Sequence, residues 1–132
     1  MTPYTLRPIE PADRPEVERL LTESWGAPVV DALALDTMID ARELPGWVAE
    51  VAGEIAGLLT YQQTGDLLDI ITINTYRPGL GIGAALMAKL DAPRIRVVTT
   101  ADNQQALRFY LRNGFTETGV PHGRGVELVR AR

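Results

Sequence analysis

Three alternating glycines in Gly79-Leu80-Gly81-Ile82-Gly83-Ala84 separate an apolar run from a segment with helical spacing. The first turn of a helix has unpaired backbone N–H groups and a partial positive charge. Glycines leave no side chain between that backbone and an anion, so the stretch suits a phosphate. The same glycines could instead serve only a tight turn and close helix–sheet packing. A nucleotide P-loop is excluded, because it needs Gly-Lys-Ser/Thr and the stretch has no lysine. The dinucleotide fingerprint G-x-G-x-x-G/A does match at Gly79, Gly81 and Ala84, and Asp102 stands near the ribose-binding offset of about 20 residues.

Other residues could carry chemistry. Tyr110 follows Asn103 by seven positions, so both lie on one helical face. Its hydroxyl is either a proton donor or the tip of a core tyrosine bonded to a carbonyl. Asp69 sits among Leu67, Leu68, Ile70 and Ile71, where a charge is costly unless paired or functional. It is a candidate base, or an acid pointing to solvent from a strand end. Asn103 is a helix cap or a ligand contact, and capping by Asp102 would free it for the ligand. His122, the single histidine, lies in Pro121-His122-Gly123-Arg124-Gly125 and is expected to be solvated, with a catalytic role as the lesser alternative. Trp25 and Trp47 are expected core anchors that could border an acceptor pocket. Arg108 and Arg112, four apart, are expected to form a solvated stripe rather than a phosphate clamp.

The elements that must position these residues follow from periodicity and punctuation. Tyr4–Ile9 reads as a strand. A helix starts at Pro11-Ala12-Asp13, with Asp13 as N-cap, and ends at Gly26. A second helix is expected over Asp31–Arg42, or else a mobile segment over a site. Trp47–Val51 and Glu54–Gln62 read as a hairpin, and Leu67–Asn74 as a third, central strand. The glycine loop then opens a helix carrying Ile82, Leu86 and Leu90. Arg94–Thr100 is a strand, and Asp102–Asn113 a helix with Ala106, Leu107, Tyr110 and Leu111 on its apolar face. Phe115–Val120 and Val126–Arg130 form a last strand pair. The order β-α-α-β-β-β-α-β-α-β-β predicts an α+β domain. Its twisted sheet is mixed and mostly antiparallel, with helices on both faces and one central parallel β-α-β crossover. In a Rossmann domain the glycine loop follows the first strand. Here antiparallel strands precede it, which argues against a nicotinamide or flavin protein.

Two segments make the chain resemble the GNAT superfamily, the acyl-CoA-dependent N-acetyltransferases. Asp69-Ile70-Ile71-Thr72-Ile73 running on to Gly79–Met87 is similar to the family's pyrophosphate motif. Asn103-Gln104-Gln105-Ala106-Leu107-Arg108-Phe109-Tyr110-Leu111-Arg112-Asn113-Gly114-Phe115 is similar to its N-x-x-A-x-x-F-Y-x-x-x-G-F motif. The resemblance spans nearly the whole chain in element order. It departs at Pro78, which stands where the loop usually has Arg or Gln, with Arg77 one residue early. The resemblance implies acetyl-CoA as cosubstrate and an amine acceptor, with a non-catalytic acyl-CoA-binding domain as the alternative. It implies that backbone from Gly79 and Leu80 through Gly81, Ile82, Gly83 and Ala84 holds pyrophosphate. The strand with Ile71 and Ile73 would part from Arg94–Thr100 to admit the pantetheine, whose far end touches Asn103. Tyr110 would protonate the departing thiolate. Asp69 would take the amine's proton, directly or through water. A side chain at Gly83 would enter the phosphate space.

The 132 residues suit one domain spanning 1–132, and 45% hydrophobic with 23% charged residues is a globular composition. With no cysteine, disulfides, thiolate zinc sites and cysteine nucleophiles are excluded, and no metal is expected. A net charge of −4 without a basic stripe argues against nucleic acid. No apolar run suggests a signal peptide or membrane span, so a cytoplasmic monomer or homodimer is expected.

Overall fold

A computed structural model describes residues 3–35 and 37–131. A seven-stranded sheet has the order β1-β4-β5-β6-β7-β9-β8, from β1 (Thr5–Pro8), β4 (Gly46–Val51), β5 (Glu54–Thr64), β6 (Leu67–Thr75), β7 (Arg94–Thr100), β8 (Thr116–His122) and β9 (Gly125–Ala131). All neighbours are antiparallel except β6 and β7, which are joined through α2 (Ile82–Ala88). The β4–β5 hairpin turns at Ala52 and Gly53, both at positive φ, the geometry that matches strand twist. The expected mixed α+β architecture is therefore present.

Helices cover both faces. α1 (Arg14–Trp25) buries Val17 and Leu21 with Val48 and Leu58 on one face. α2 and α3 (Gln104–Arg112) bury Leu86, Met87, Leu107 and Tyr110 with Leu59, Leu68, Ile70 and Leu128 on the other. Arg130 of β9 donates to the Met87 and Asn113 carbonyls near the C-terminal ends of α2 and α3, with its guanidinium over the Phe115 ring. Among the described residues no helix is long and apolar enough to cross a membrane.

The second helix expected over Asp31–Arg42 is a correction. That stretch forms the hairpin β2 (Val29–Ala32) and β3 (Thr37–Asp40), followed by a 3-10 turn at Ala41–Glu43; Asp36 lies outside the described residues. The Ala-Leu run at 32–35 mimics a helix but supplies the turn, while Val29, Val30, Thr37 and Ile39 favour strands. Asp13 also differs from expectation. It stands at the N-cap position of α1, but its carboxylate makes no cap bond to that helix; it accepts from Arg7 and, in a capping box of the 3-10 turn Pro11–Asp13, from the Glu10 N–H.

Gly57 sets the depth at which α2 sits, because a Cβ there would lie 2.4 Å from Ile82 Cγ2. Gly57→Ala is expected to overpack this contact and lower stability by about 1–3 kcal/mol, read by urea denaturation.

Candidate active site

The parallel strands β6 and β7 pair over only three rungs, Leu67–Arg94, Leu68–Ile95 and Asp69–Arg96. Beyond Arg96 they diverge. β6 stays paired to β5 and β7 to β9, so the two inner edges keep unpaired backbone groups facing one another. Ile71 forms a bulge just past the fork, since Thr60 pairs with Thr72 and Tyr61 with Ile70. A cavity of about 410 Å³ fills the opening, lined by Ile70, Ile71 and Ile73 of β6, Val97, Val98 and Thr99 of β7, and Asn103, Ala106, Phe109 and Tyr110. Its volume is in the range of small-molecule sites. A smaller pocket of about 150 Å³ adjoins it on the α1 side, sharing Trp25, Ile71, Val98 and Asn103 and reaching Asp31 and Leu33 of the β2–β3 hairpin. Asp31 is exposed and has no bonded partner among the described residues.

The glycine loop stands at the end of β6. Gly79 and Gly81 have positive φ, and a Cβ on either would meet nothing within 4 Å, so the backbone is open on that side. Gly81 begins α2, whose first i→i−4 bond is Ala85 N–H to the Gly81 carbonyl. The N–H groups of Ile82, Gly83 and Ala84 thus precede the helical bonding, and no acidic side chain lies in the first turn. This is a fit for an anion. At Gly83 one expectation differs, the direction an added side chain would take. Its Cβ position lies 3.0 Å from the Phe109 ring, so the missing side chain lets α2 pack on α3 and is not phosphate space.

Tyr110 is 5% exposed, and burial pushes its hydroxyl up to about 12. Among the described residues no group bonds that hydroxyl, yet no buried side-chain polar atom is left unsatisfied, so it opens onto the cavity. Phe109 and Phe115 pack edge-on against its ring at 5.4 and 5.6 Å and fix its direction. Asn103, not Asp102, is the N-cap of α3. Its Oδ1 accepts from Ala106 N–H at 3.2 Å, which leaves the amide NH₂ as a donor at the cavity wall. One asparagine can serve both purposes. Leu111 is exposed, so the apolar face of α3 is narrower than expected.

Asp69 is 2% exposed and lines neither pocket. Arg96 donates to both its oxygens, from Nε at 2.6 Å and Nη2 at 3.1 Å. A carboxylate held in this way is poorly suited to taking a proton directly, and at the fork it stands as the partner of Arg96. His122 is also not simply solvated. Its Nε2 lies 2.5 Å from Glu127 Oε2. Burial pushes the Glu127 carboxyl up, but hydrogen bonds from His122 and Thr118 outweigh that and hold it below the usual range. Trp25 lies on the rim, its indole N–H donating to Asn74 Oδ1 at 2.8 Å, whereas Trp47 packs against the core with Lys89 over its ring. Arg77, Arg108 and Arg112 are exposed. Arg96 and Glu127 carried no signal in the sequence analysis. Only strand register brings them beside Asp69 and His122.

The model of an acetyltransferase (GNAT) domain matches residues 43–117, which include β6, the glycine loop and α3. The chain belongs to the GNAT acetyltransferase family. It is 33% identical over 105 residues to the uncharacterised protein YdhI of Bacillus subtilis (strain 168), a match covering 73% of this chain and 64% of that protein. The chain thus spans a little under two thirds of this curated relative. Among solved structures, the PaiA N-acetyltransferase of Thermoplasma acidophilum in complex with coenzyme A aligns with a TM-score of 0.77 at 12% identity, covering 98% of this chain and 99% of that one. NAA60 of Arabidopsis thaliana in complex with acetyl-CoA aligns at 0.71 and 16% identity, covering 98% and 99%. At these identities the two structures establish the shared GNAT fold.

In this GNAT chain Gly83 is a helix-packing residue. Gly83→Val is expected to lower ligand-free stability by about 1–3 kcal/mol through collision with Phe109. Adding Phe109→Leu should recover part of the loss in thermal melting, which steric exclusion of phosphate alone would not explain.

Proposed function

We propose that this chain is a cytoplasmic N-acetyltransferase, monomeric or homodimeric, that moves an acetyl group from acetyl-CoA to a primary amine by direct attack. The observation that carries the reading is the fork. Its two unpaired strand edges bound the cavity that Tyr110 lines, and the open glycine loop follows β6. Backbone from Gly79 to Ala84 holds the pyrophosphate. The pantetheine amides pair with the free edges near Ile71 and Ile73, as an added strand does. The Asn103 amide meets its far end. The acceptor enters from the adjoining pocket, where the unpaired Asp31 carboxylate favours a cationic amine. The fold's occurrence in a complex with acetyl-CoA and another with coenzyme A supports this choice of donor.

With the hydroxyl at about 12 and a thiol near about 8.5, full proton transfer from Tyr110 to sulfur is uphill by about 5 kcal/mol. Tyr110 therefore acts first as a hydrogen-bond donor to the developing thiolate. The proton follows as the amine nitrogen loses its own.

Saturating acetyl-CoA, at about 100 times its dissociation constant, should stabilise the fold by about 2.7 kcal/mol in thermal melting. No shift with acetyl-CoA and a shift with NAD would overturn the reading. Turnover is tested by thiol release with n-butylamine, an amino sugar, a lysine-containing peptide and a peptide with a free N-terminus. Tyr110→Phe should leave acetyl-CoA affinity nearly unchanged and lower turnover by about 10²-fold or more. Unchanged turnover, measured where chemistry limits the rate, would make Tyr110 a packing residue only.

A further inference from the structure

A line of polar side chains crosses four strands on the α1 side of the sheet. It runs from Asp69 on β6 to Arg96 on β7, Glu127 on β9, and Thr118 and His122 on β8. The apolar neighbours Leu68, Ile70, Ile95, Val97 and Leu128 all face the other side, beneath α2 and α3. The two carboxylates are buried, with Glu127 only 3% exposed, while Arg96 and His122 reach the surface above them. Asp69 is fully engaged by Arg96. Glu127 accepts from Thr118 on one oxygen and lies against His122 on the other.

The imidazole is the group in this line with capacity left. A carboxylate against Nε2 selects the tautomer that carries its proton there, which leaves the Nδ1 lone pair as an acceptor. Nδ1 has no partner among the described residues, and since none of their buried side-chain polar atoms is left unsatisfied, it is open to solvent. His122 itself lines neither pocket, and Gly125 lies between it and Val98. A Cβ at that glycine would lie 2.5 Å from Val98 Cγ1 and 3.4 Å from His122 Cβ, so its absence lets His122 approach Val98. Val98 lines both the main cavity and the adjoining pocket.

We propose that His122, oriented by Glu127, is the proton acceptor for the incoming amine, directly or through one water. The inference rests on the acetyl-transfer reading. An alkylammonium gives one proton to Nδ1, and the free amine attacks the thioester carbonyl carbon. The C–N bond forms and the C–S bond breaks. The nitrogen's second proton balances the one that sulfur gains by way of Tyr110, and His122 releases its proton to water. The charged and polar groups facing the imidazole are Glu127 and Thr118, with Arg96 and Asp69 beyond Glu127; Arg124, in the β8–β9 turn, is exposed.

His122 is the only histidine, so its ring nitrogens give unambiguous signals in ¹⁵N NMR. The wild-type protein at alkaline pH should show the Nε2–H tautomer; the Nδ1–H tautomer would overturn the proposal. Turnover is then followed against pH with acetyl-CoA and whichever of the four test amines reacts fastest. His122→Gln should bind acetyl-CoA as the wild type does, lose about 10²-fold or more at neutral pH, and recover partly at high pH, where free amine is plentiful. Added imidazole should restore part of the activity of His122→Ala, which a purely structural histidine would not permit. A wild-type pH profile in His122→Gln overturns the dyad and leaves acetyl transfer standing. Wild-type protein that turns over none of the four amines overturns both.

Discussion

The site depends on where β6 and β7 stop pairing. Three parallel rungs hold the strands together, and the last is reinforced by the Arg96–Asp69 ion pair. Past that point each strand keeps only its outer neighbour. Backbone groups in a protein interior need partners, so a fork with two bare edges is tolerable only where it is open to water or to a ligand. The bulge at Ile71, one residue beyond Ile70, accompanies this divergence. Removing one member of a largely buried ion pair leaves the other charge uncompensated. The vertex therefore tolerates loss of either charge poorly.

The two sides of the fork differ in character. Toward α2 and α3 the wall is apolar and aromatic, built from Ile70, Val97, Phe109 and Tyr110. Toward α1 the sheet carries the polar line from Asp69 to His122, and the β2–β3 hairpin adds Asp31. An uncharged pantetheine arm and a cationic amine need different surroundings. On the proposed reading one opening offers both, on opposite faces of a single sheet.

Much of this was legible in the sequence. The alternating glycines and the Asn103–Phe115 stretch marked the two ends of the site, and the strand order argued against a Rossmann sheet. What escaped detection shares a physical origin. The Ala-Leu run at 32–35 has helical propensity that flanking β-branched residues override through pairing, which propensity cannot foresee. Asp102 and Asn103 are both good caps, and only the local φ and ψ decide between them. Gly83 was misread because the direction of an absent side chain depends on α3, far away in sequence. Asp69 was rightly singled out as a charge needing a reason, but its reason, Arg96, lies on another strand and becomes visible only with the register.

The bond from the Trp25 indole to Asn74 has a further consequence. Of the two tryptophans, only Trp25 borders the cavity and its adjoining pocket, and it is 50% exposed at their rim. Trp47 packs elsewhere in the core, beneath Lys89. Indole emission depends on solvent contact and hydrogen bonding, so the chain contains its own optical probe at the mouth of the fork, with the second indole as an internal reference.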